Sequence, residues 1–252
     1  MNKNLLKVVL AMAVLVSSLS CAESEHESRS VLITGANRGI GLELARQYAA
    51  SGWRVIGTAR APDEATALHE LDNTRVLELD VTDQDSVRRF AEELGDEPVD
   101  VLINNAGILP MMNTVPGIDL DVFERILDVN TIGPVRVTQA VLPNLRNGDL
   151  RKIINITSNL GSIAENGSGQ FYGYRESKAA LNMFTRSLAA ELRGEGFTCV
   201  VLHPGWVQTD MGGPNGLIDS QTSVSGMRNV IDGIDSQKSG RFFAYDGVEI
   251  PW

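Results

Sequence analysis

The sequence predicts one α/β domain: a doubly wound parallel sheet with helices on both faces. Three observations carry this. From Ser30 onward, short apolar runs alternate with helically spaced segments. The runs are apolar throughout, the pattern of strands covered on both sides. Right-handed crossovers then wind such strand–helix units into a single open sheet. With 252 residues the chain suits one such domain with a full core, and two domains would each be small.

The elements follow in order. Residues 31–33 form the first strand, ended at once by Thr34-Gly35. Helical spacing over 40–50 places Ile40, Leu44 and Tyr48 on one side. Strand two covers 53–57, and a short polar helix spans about 63–71. Strand three is 75–79, followed by a helix over 83–94 with Asp83 as its N-cap. Strand four is 99–103. A long helical stretch over 120–145 is interrupted around Gly133-Pro134. Strand five is 153–157, and 172–193 is helical, with Leu181, Phe184, Leu188 and Leu192 near one face. Strand six covers 197–203 and a seventh 240–245. Segment 205–220 is the longest irregular piece outside the termini. Its Gly212, Gly213, Pro214 and Gly216 mark a mobile loop of the kind that covers sites.

Residues 1–22 read as an export signal. Lys3 and Lys7 give a basic start, residues 8–16 are continuously apolar, and small residues lead to Cys21. The stretch is too short for a spanning helix. Ser17 to Cys21 resembles a bacterial lipobox, which makes Cys21 a lipid-anchor site; cleavage after Ala22 is the alternative. The expected division is signal 1–22, polar linker 23–29 and domain 30–252. The expected location is exported or membrane-anchored on the periplasmic side, with a cytoplasmic protein as the alternative.

A formal net charge of -10 argues against a nucleic-acid surface. The two cysteines make no disulfide framework, and the three histidines have no zinc spacing, so no metal is expected. Cys199 sits in an apolar run and reads as a buried, inert thiol.

The chemistry starts at Thr34-Gly35-Ala36-Asn37-Arg38-Gly39-Ile40-Gly41, between the first strand and the first helix. Glycines there let the backbone approach a pyrophosphate, and the helix N-terminus offers it unpaired N–H groups. The spacing is GxxxGxG, not the common GxGxxG. Strand two runs out through Gly57-Thr58-Ala59-Arg60 with no acid to accept from ribose hydroxyls. Arg60 and Arg38 instead suit a 2′-phosphate, so NADP(H) is the preferred cofactor and NAD(H) the alternative.

Tyr174-Arg175-Glu176-Ser177-Lys178 places a phenol and an ammonium four residues apart, on one helix face. A nearby cation favours phenolate and is expected to lower the pKa of Tyr174. Asn104-Asn105-Ala106-Gly107 ends strand four and Thr157-Ser158 ends strand five. Asn130 lies within the long helix, where an inward amide could bind a water in a proton relay. The strand-end motifs, with the Asn130 helix facing them, gather at the C-terminal edge of the sheet, where open α/β folds bind ligands.

TGANRGIG, NNAG, the Asn130 helix, INITS, YRESK and HPGWVQTD together resemble the short-chain dehydrogenase/reductase family over residues 30–252. LHPGWVQTDMGG and the final FFAYDGVEIPW are most similar to the sniffer-type carbonyl reductases and C-factor-like proteins within it. The resemblance implies a seven-stranded Rossmann-type sheet. It implies Tyr174 as catalytic acid/base, Lys178 as its modulator and ribose ligand, Asn130 as proton relay, and Ser158 as the group that orients a substrate carbonyl. It implies a cofactor lined by Gly35, Asn37, Arg38, Gly39, Ile40 and Gly41. Asp80 and Val81 fall near the adenine, with Asn105, Ala106 and Gly107 beside it. Pro204, Gly205, Val207 and Thr209 fall at the nicotinamide end. Met111, Trp206 and Met211 are the expected substrate contacts, apolar and suited to a hydrophobic aldehyde or ketone. Partners are then a small carbonyl or alcohol and, by family habit, a second or fourth copy in a homodimer or tetramer. A nucleotide-binding signalling protein of C-factor type with little turnover is the alternative. One departure stands out: Ser158 and Tyr174 are 16 positions apart, longer than the family's usual spacing, so Ser162 competes for the serine role.

Overall fold

A computed structural model describes residues 29–252. The expected signal at 1–22, the Cys21 anchor and nearly all of the 23–29 linker lie outside the described residues.

Seven parallel strands form one sheet in the order β3-β2-β1-β4-β5-β6-β7. They are β1 Ser30–Ile33, β2 Arg54–Ala59, β3 Thr74–Glu78, β4 Val101–Asn104, β5 Lys152–Ile156, β6 Thr198–His203 and β7 Phe242–Ala244. The helices are α1 Gly39–Ala50, α2 Thr66–His69, α3 Gln84–Leu94, α4 Leu120–Leu127, α5 Gly133–Asn147, α6 Tyr174–Glu191 and α7 Ser220–Gly233. Chain direction across the sheet reverses between β1 and β4, which opens a crevice at their C-terminal ends.

Alternate residues of each strand feed opposite cores. Val31 and Ile33 join the layer built with α1 and α7, while Leu32 joins the layer built with α3, α5 and α6. The same holds for Val101 and Ile103 against Leu102, and for Ile154 and Ile156 against Ile153. Two covered faces are why these strands read as unbroken apolar runs.

Four expectations are corrected. The polar helix over 63–71 is a 3-10 turn, Pro62–Glu64, and a single helical turn, Thr66–His69. The long stretch at 120–145 is not broken at Gly133; a π-helical turn, Asp128–Ile132, joins α4 to α5. Gly133 is required there because a Cβ would fall 2.8 Å from Val81 Cγ2. Segment 205–220 is closed rather than loose: Gln208 N–H donates to Ile218 O at 2.9 Å and Leu217 N–H to Trp206 O at 2.7 Å. Helix α7 has no counterpart among the expected elements. Its Ser, Thr, Gly and Asn residues are weak helix formers. It forms because Asp219 caps it, accepting from Thr222 N–H at 2.7 Å, and because Val224, Met227 and Ile231 bury one face.

Candidate active site

The glycine turn is fastened to the sheet from both sides. Thr34 Oγ1 accepts from the N–H groups of Asn105 and Ala106, both at 3.0 Å. Asn105 Nδ2 donates back to Thr34 O at 3.0 Å and Gly35 O at 3.1 Å. Ala36 N–H donates to Thr58 O at 2.8 Å. Gly35 holds φ +64°, where a side chain is strained, and Gly41 has no room for one: its Cβ would sit 2.2 Å from Gly35 O. The turn therefore presents the α1 N-terminus to a cleft of about 1170 Å³, above the ~300–1,000 Å³ range of ordinary small-molecule sites.

That cleft gathers most of the expected cofactor residues. Gly35, Asn37, Arg38, Gly39, Ile40 and Gly41 line one end, with Arg60, Asp80 and Val81. Asn105, Ala106, Gly107, Tyr174, Lys178, Pro204 and Thr209 also line the cleft, with Thr209 Cγ2 3.6 Å from the Cβ position of Gly39. Gly205 and Val207 do not line it. Gly205 packs beneath the loop, its Cβ position 2.7 Å from Ile218 Cδ1, and Val207 is buried in a bridge to Ile218. Sequence reasoning missed Arg125, Asp128 and Gln208, which also line the cleft. Arg125 and Asp128 carry no motif and arrive from a helix distant in sequence, whereas Gln208 sits inside HPGWVQTD, between two residues already expected there.

No acid follows β2, and Arg60 stands in the cleft wall instead. Asp80 is fixed as an anion. Burial works against its charge, but the Thr82 hydroxyl at 2.6 Å and backbone N–H at 2.9 Å, with Arg60 and Arg125 nearby, hold its carboxyl below the ordinary value. Arg38 is exposed and pairs with Asp210 at 3.2 Å, linking the glycine turn to segment 205–219.

Tyr174 and Lys178 share the inner face of α6. Both are buried, with Lys178 Nζ 5.7 Å from the Tyr174 ring centroid. The ammonium donates to Ile156 O at 2.9 Å, which pins it under the end of β5. Their electrostatics correct the expectation. Burial pushes the Tyr174 phenol up to about 12, and a hydrogen bond with Ser158 offsets only part of that. Burial likewise pushes Lys178 down to about 8. Desolvation dominates both groups, so the phenol is held in its protonated form.

Ser158, just past β5, is buried and is not among the residues that line the cleft; its hydroxyl accepts from Leu160 N–H at 3.1 Å and donates to Asn159 Oδ1 at 3.3 Å. Its rival Ser162 faces away: Ser162 Oγ donates to Pro251 O at 2.6 Å and accepts from Glu165 N–H at 3.2 Å. The Asn130 amide is inward, as expected, and fully buried, and it bonds protein groups. Oδ1 accepts from Ile108 N–H at 2.8 Å, and Nδ2 donates to Ile108 O at 2.9 Å and Ser177 Oγ at 3.0 Å. The side chain clamps the segment after NNAG.

Of the expected substrate contacts, Met211 lines the cleft, while Met111 and Trp206 do not. All three are about half exposed or more, and the Trp206 indole donates to Gly212 O at 2.7 Å, bracing its own loop. The long connection between Ser158 and Tyr174 ends in two left-handed residues, Gln170 (φ 60°) and Phe171 (φ 53°). Such backbone costs about 1–3 kcal/mol per residue and persists only where neighbours impose it.

This sheet order, turn and Tyr/Lys/Ser cluster define a nucleotide-dependent oxidoreductase fold. Residues 29–216 match the family model for short chain dehydrogenase, and the chain belongs to that family; it is an oxidoreductase. It is 51% identical over 166 residues to C-signal of Myxococcus xanthus, a match that spans 66% of this chain and 100% of that protein. Among solved structures it is similar to the NADPH-bound carbonyl reductase from chicken fatty liver. That match has TM-score 0.83 and 38% identity, and it covers 89% of this chain and 99% of that one. It is also similar to the carbonyl reductase Sniffer of D. melanogaster, with TM-score 0.82, 33% identity, and 89% and 100% coverage.

Proposed function

We propose that the chain is an NADP(H)-dependent carbonyl reductase with Tyr174 as its proton donor. The observation that carries this is a buried Tyr174 with buried Lys178 beside it, both lining a cleft that the glycine turn, Arg38 and Arg60 also line. The residues fit the dinucleotide. The α1 N-terminus and glycine turn would hold the pyrophosphate, Arg38 and Arg60 a 2′-phosphate, Asp80 and Val81 the adenine side, and Lys178 the nicotinamide ribose. When bound, the cofactor supplies the hydride.

The rest belongs to the chain. Ser158 hydrogen-bonds the substrate oxygen and orients it. As negative charge develops on that oxygen, the Tyr174 hydroxyl transfers its proton there. A phenol held up near 12 is protonated at neutral pH and can serve as an acid. Lys178, near 8, is still mostly an ammonium at pH 7 and returns a proton to the phenolate through water. Apolar Met211 in the cleft lining suits a hydrophobic aldehyde or ketone.

The test is NADPH oxidation with a panel of aromatic and aliphatic aldehydes. Turnover that disappears in Tyr174→Phe supports the reading, and absence of turnover with every carbonyl overturns it. Tight NADPH binding without turnover would favour a signalling role, the reading that the likeness to C-signal supports. Export with a lipid at Cys21 is a separate proposal, tested by fractionating cells and by labelling with a fatty acid.

A further inference from the structure

We propose that Arg175 is a positioning residue for the reaction: its buried guanidinium ties both ends of the 159–173 connection together and so fixes Ser158 against Tyr174. The proposal rests on the reading of Tyr174 as the acid.

Arg175 follows Tyr174 directly, yet its side chain turns back into the protein and is 9% exposed. Among the described residues no carboxylate pairs with it. Its donors go to neutral acceptors along the connection. Nε donates to Gly169 O at 2.9 Å and Gln170 O at 3.2 Å, Nη1 to Leu160 O at 3.2 Å, and Nη2 to Ser168 Oγ at 3.0 Å. Its cation also lies 5.9 Å from the Phe171 ring centroid. A buried cation without a counter-ion is tolerated only when its donors are satisfied, and a guanidinium is a rigid planar fork. The acceptors are therefore held where the fork requires them.

The identity of those acceptors matters. Leu160 lies in the 3-10 turn Asn159–Gly161 that Ser158 caps. Gly169 and Gln170 lie at the other end, where Gln170 and Phe171 take the left-handed backbone. Phe171 O in turn accepts from the N–H groups of Tyr174 and Arg175, at 3.1 and 3.0 Å, starting the helix that carries the phenol. One side chain thus spans from the turn bearing Ser158 to the first turn bearing Tyr174. The middle of the connection is held separately, by Ser162 on Pro251 O and by Ala164 N–H on Trp252 O at 2.9 Å. A lysine would offer a point charge that cannot reach all four acceptors.

The experiment measures NADPH affinity by fluorescence, and kcat and KM for the best aldehyde of the panel, in wild type, Tyr174→Phe, Arg175→Ala, Arg175→Lys and Ser168→Ala. Arg175→Ala is expected to lower kcat by about 10²-fold, the scale of a displaced catalytic pair, with NADPH affinity unchanged. Arg175→Lys is expected to remain impaired, and added guanidinium chloride, but not ammonium chloride, to restore part of the Arg175→Ala rate. Ser168→Ala, which removes one acceptor, is expected to give a smaller fall in kcat with NADPH affinity unchanged. Should Arg175→Ala fail to fold, Ser168→Ala and Arg175→Lys decide. Wild-type kcat in Arg175→Ala, full rescue by lysine, or NADPH affinity falling in step with kcat would overturn the inference. An inactive Tyr174→Phe beside an unimpaired Arg175→Ala sinks the inference alone. A fully active Tyr174→Phe sinks the assignment of the acid and the inference with it.

Discussion

The two ends of the cleft are built by different means. At the glycine end, a short turn is fixed by backbone geometry and by near neighbours in the sheet: Gly35 in a left-handed conformation, Gly41 against Gly35 O, Thr34 and Asn105 joined across β1 and β4. At the carbonyl end, two long connections are held by side chains reaching across the fold. Arg175 spans 159–173, Trp206 and Gln208 close 205–219, and Pro251 and Trp252 brace Ser162 and Ala164. The first end needs particular residues at particular positions and serves any related cofactor. The second can be rebuilt by changing connections, which is where substrate choice is expected to reside.

Substitutions can break this contrast. The largest effect is expected from Tyr174→Phe, which removes the proton donor and should cut kcat about 10³-fold while leaving NADPH affinity intact. Ser158→Ala should cost about 10² in kcat, since one preorganised donor to the developing oxyanion is lost; a full rate would move the role away from Ser158. Gly41→Ala tests the other end through stability. Its Cβ would meet backbone at 2.2 Å, and thermal melting should reveal a loss of about 3 kcal/mol or failure to fold.

A pH profile sharpens the carbonyl end. In the proposed mechanism reduction uses the protonated forms of Tyr174 and Lys178, and Lys178 loses its proton first. Reductive kcat/KM should therefore be flat at neutral pH and fall as pH rises through about 8. A plateau extending beyond pH 10 would separate Lys178 from the proton path. The smallest effect is expected at the cofactor's phosphate. Arg60→Ala should weaken NADPH about tenfold relative to NADH, the scale of one charge-assisted hydrogen bond. Equal binding of the two nucleotides by wild type would remove the phosphate role of Arg38 and Arg60.

Much of the fold was legible because strand burial on two faces leaves a local trace: β1, β4 and β6 read as short apolar runs, while edge strand β3, TRVLE, buries only Leu77. Helix α7 left no such trace. Its residues favour helix only once Val224, Met227 and Ile231 have a sheet to cover. The candidate site divides the same way. Glycines, the paired arginines and the one-turn spacing of Tyr174 and Lys178 are local facts, and the structure brings them to one cleft. The state of the phenol was not legible. Spacing put a cation near it, but only burial revealed that desolvation dominates both groups. Asn130 was visible as an inward amide, yet its partners Ile108 and Ser177 come from other elements.

By itself, then, the sequence determined the order of the strands, the glycine turn and the set of reactive side chains, since each depends on residues within a turn or two of one another. Tertiary structure decided their charge states, the choice of Ser158 over Ser162, and the bracing of the long connections. Those depend on how much water packing excludes and on which distant backbone atoms arrive to accept a hydrogen bond.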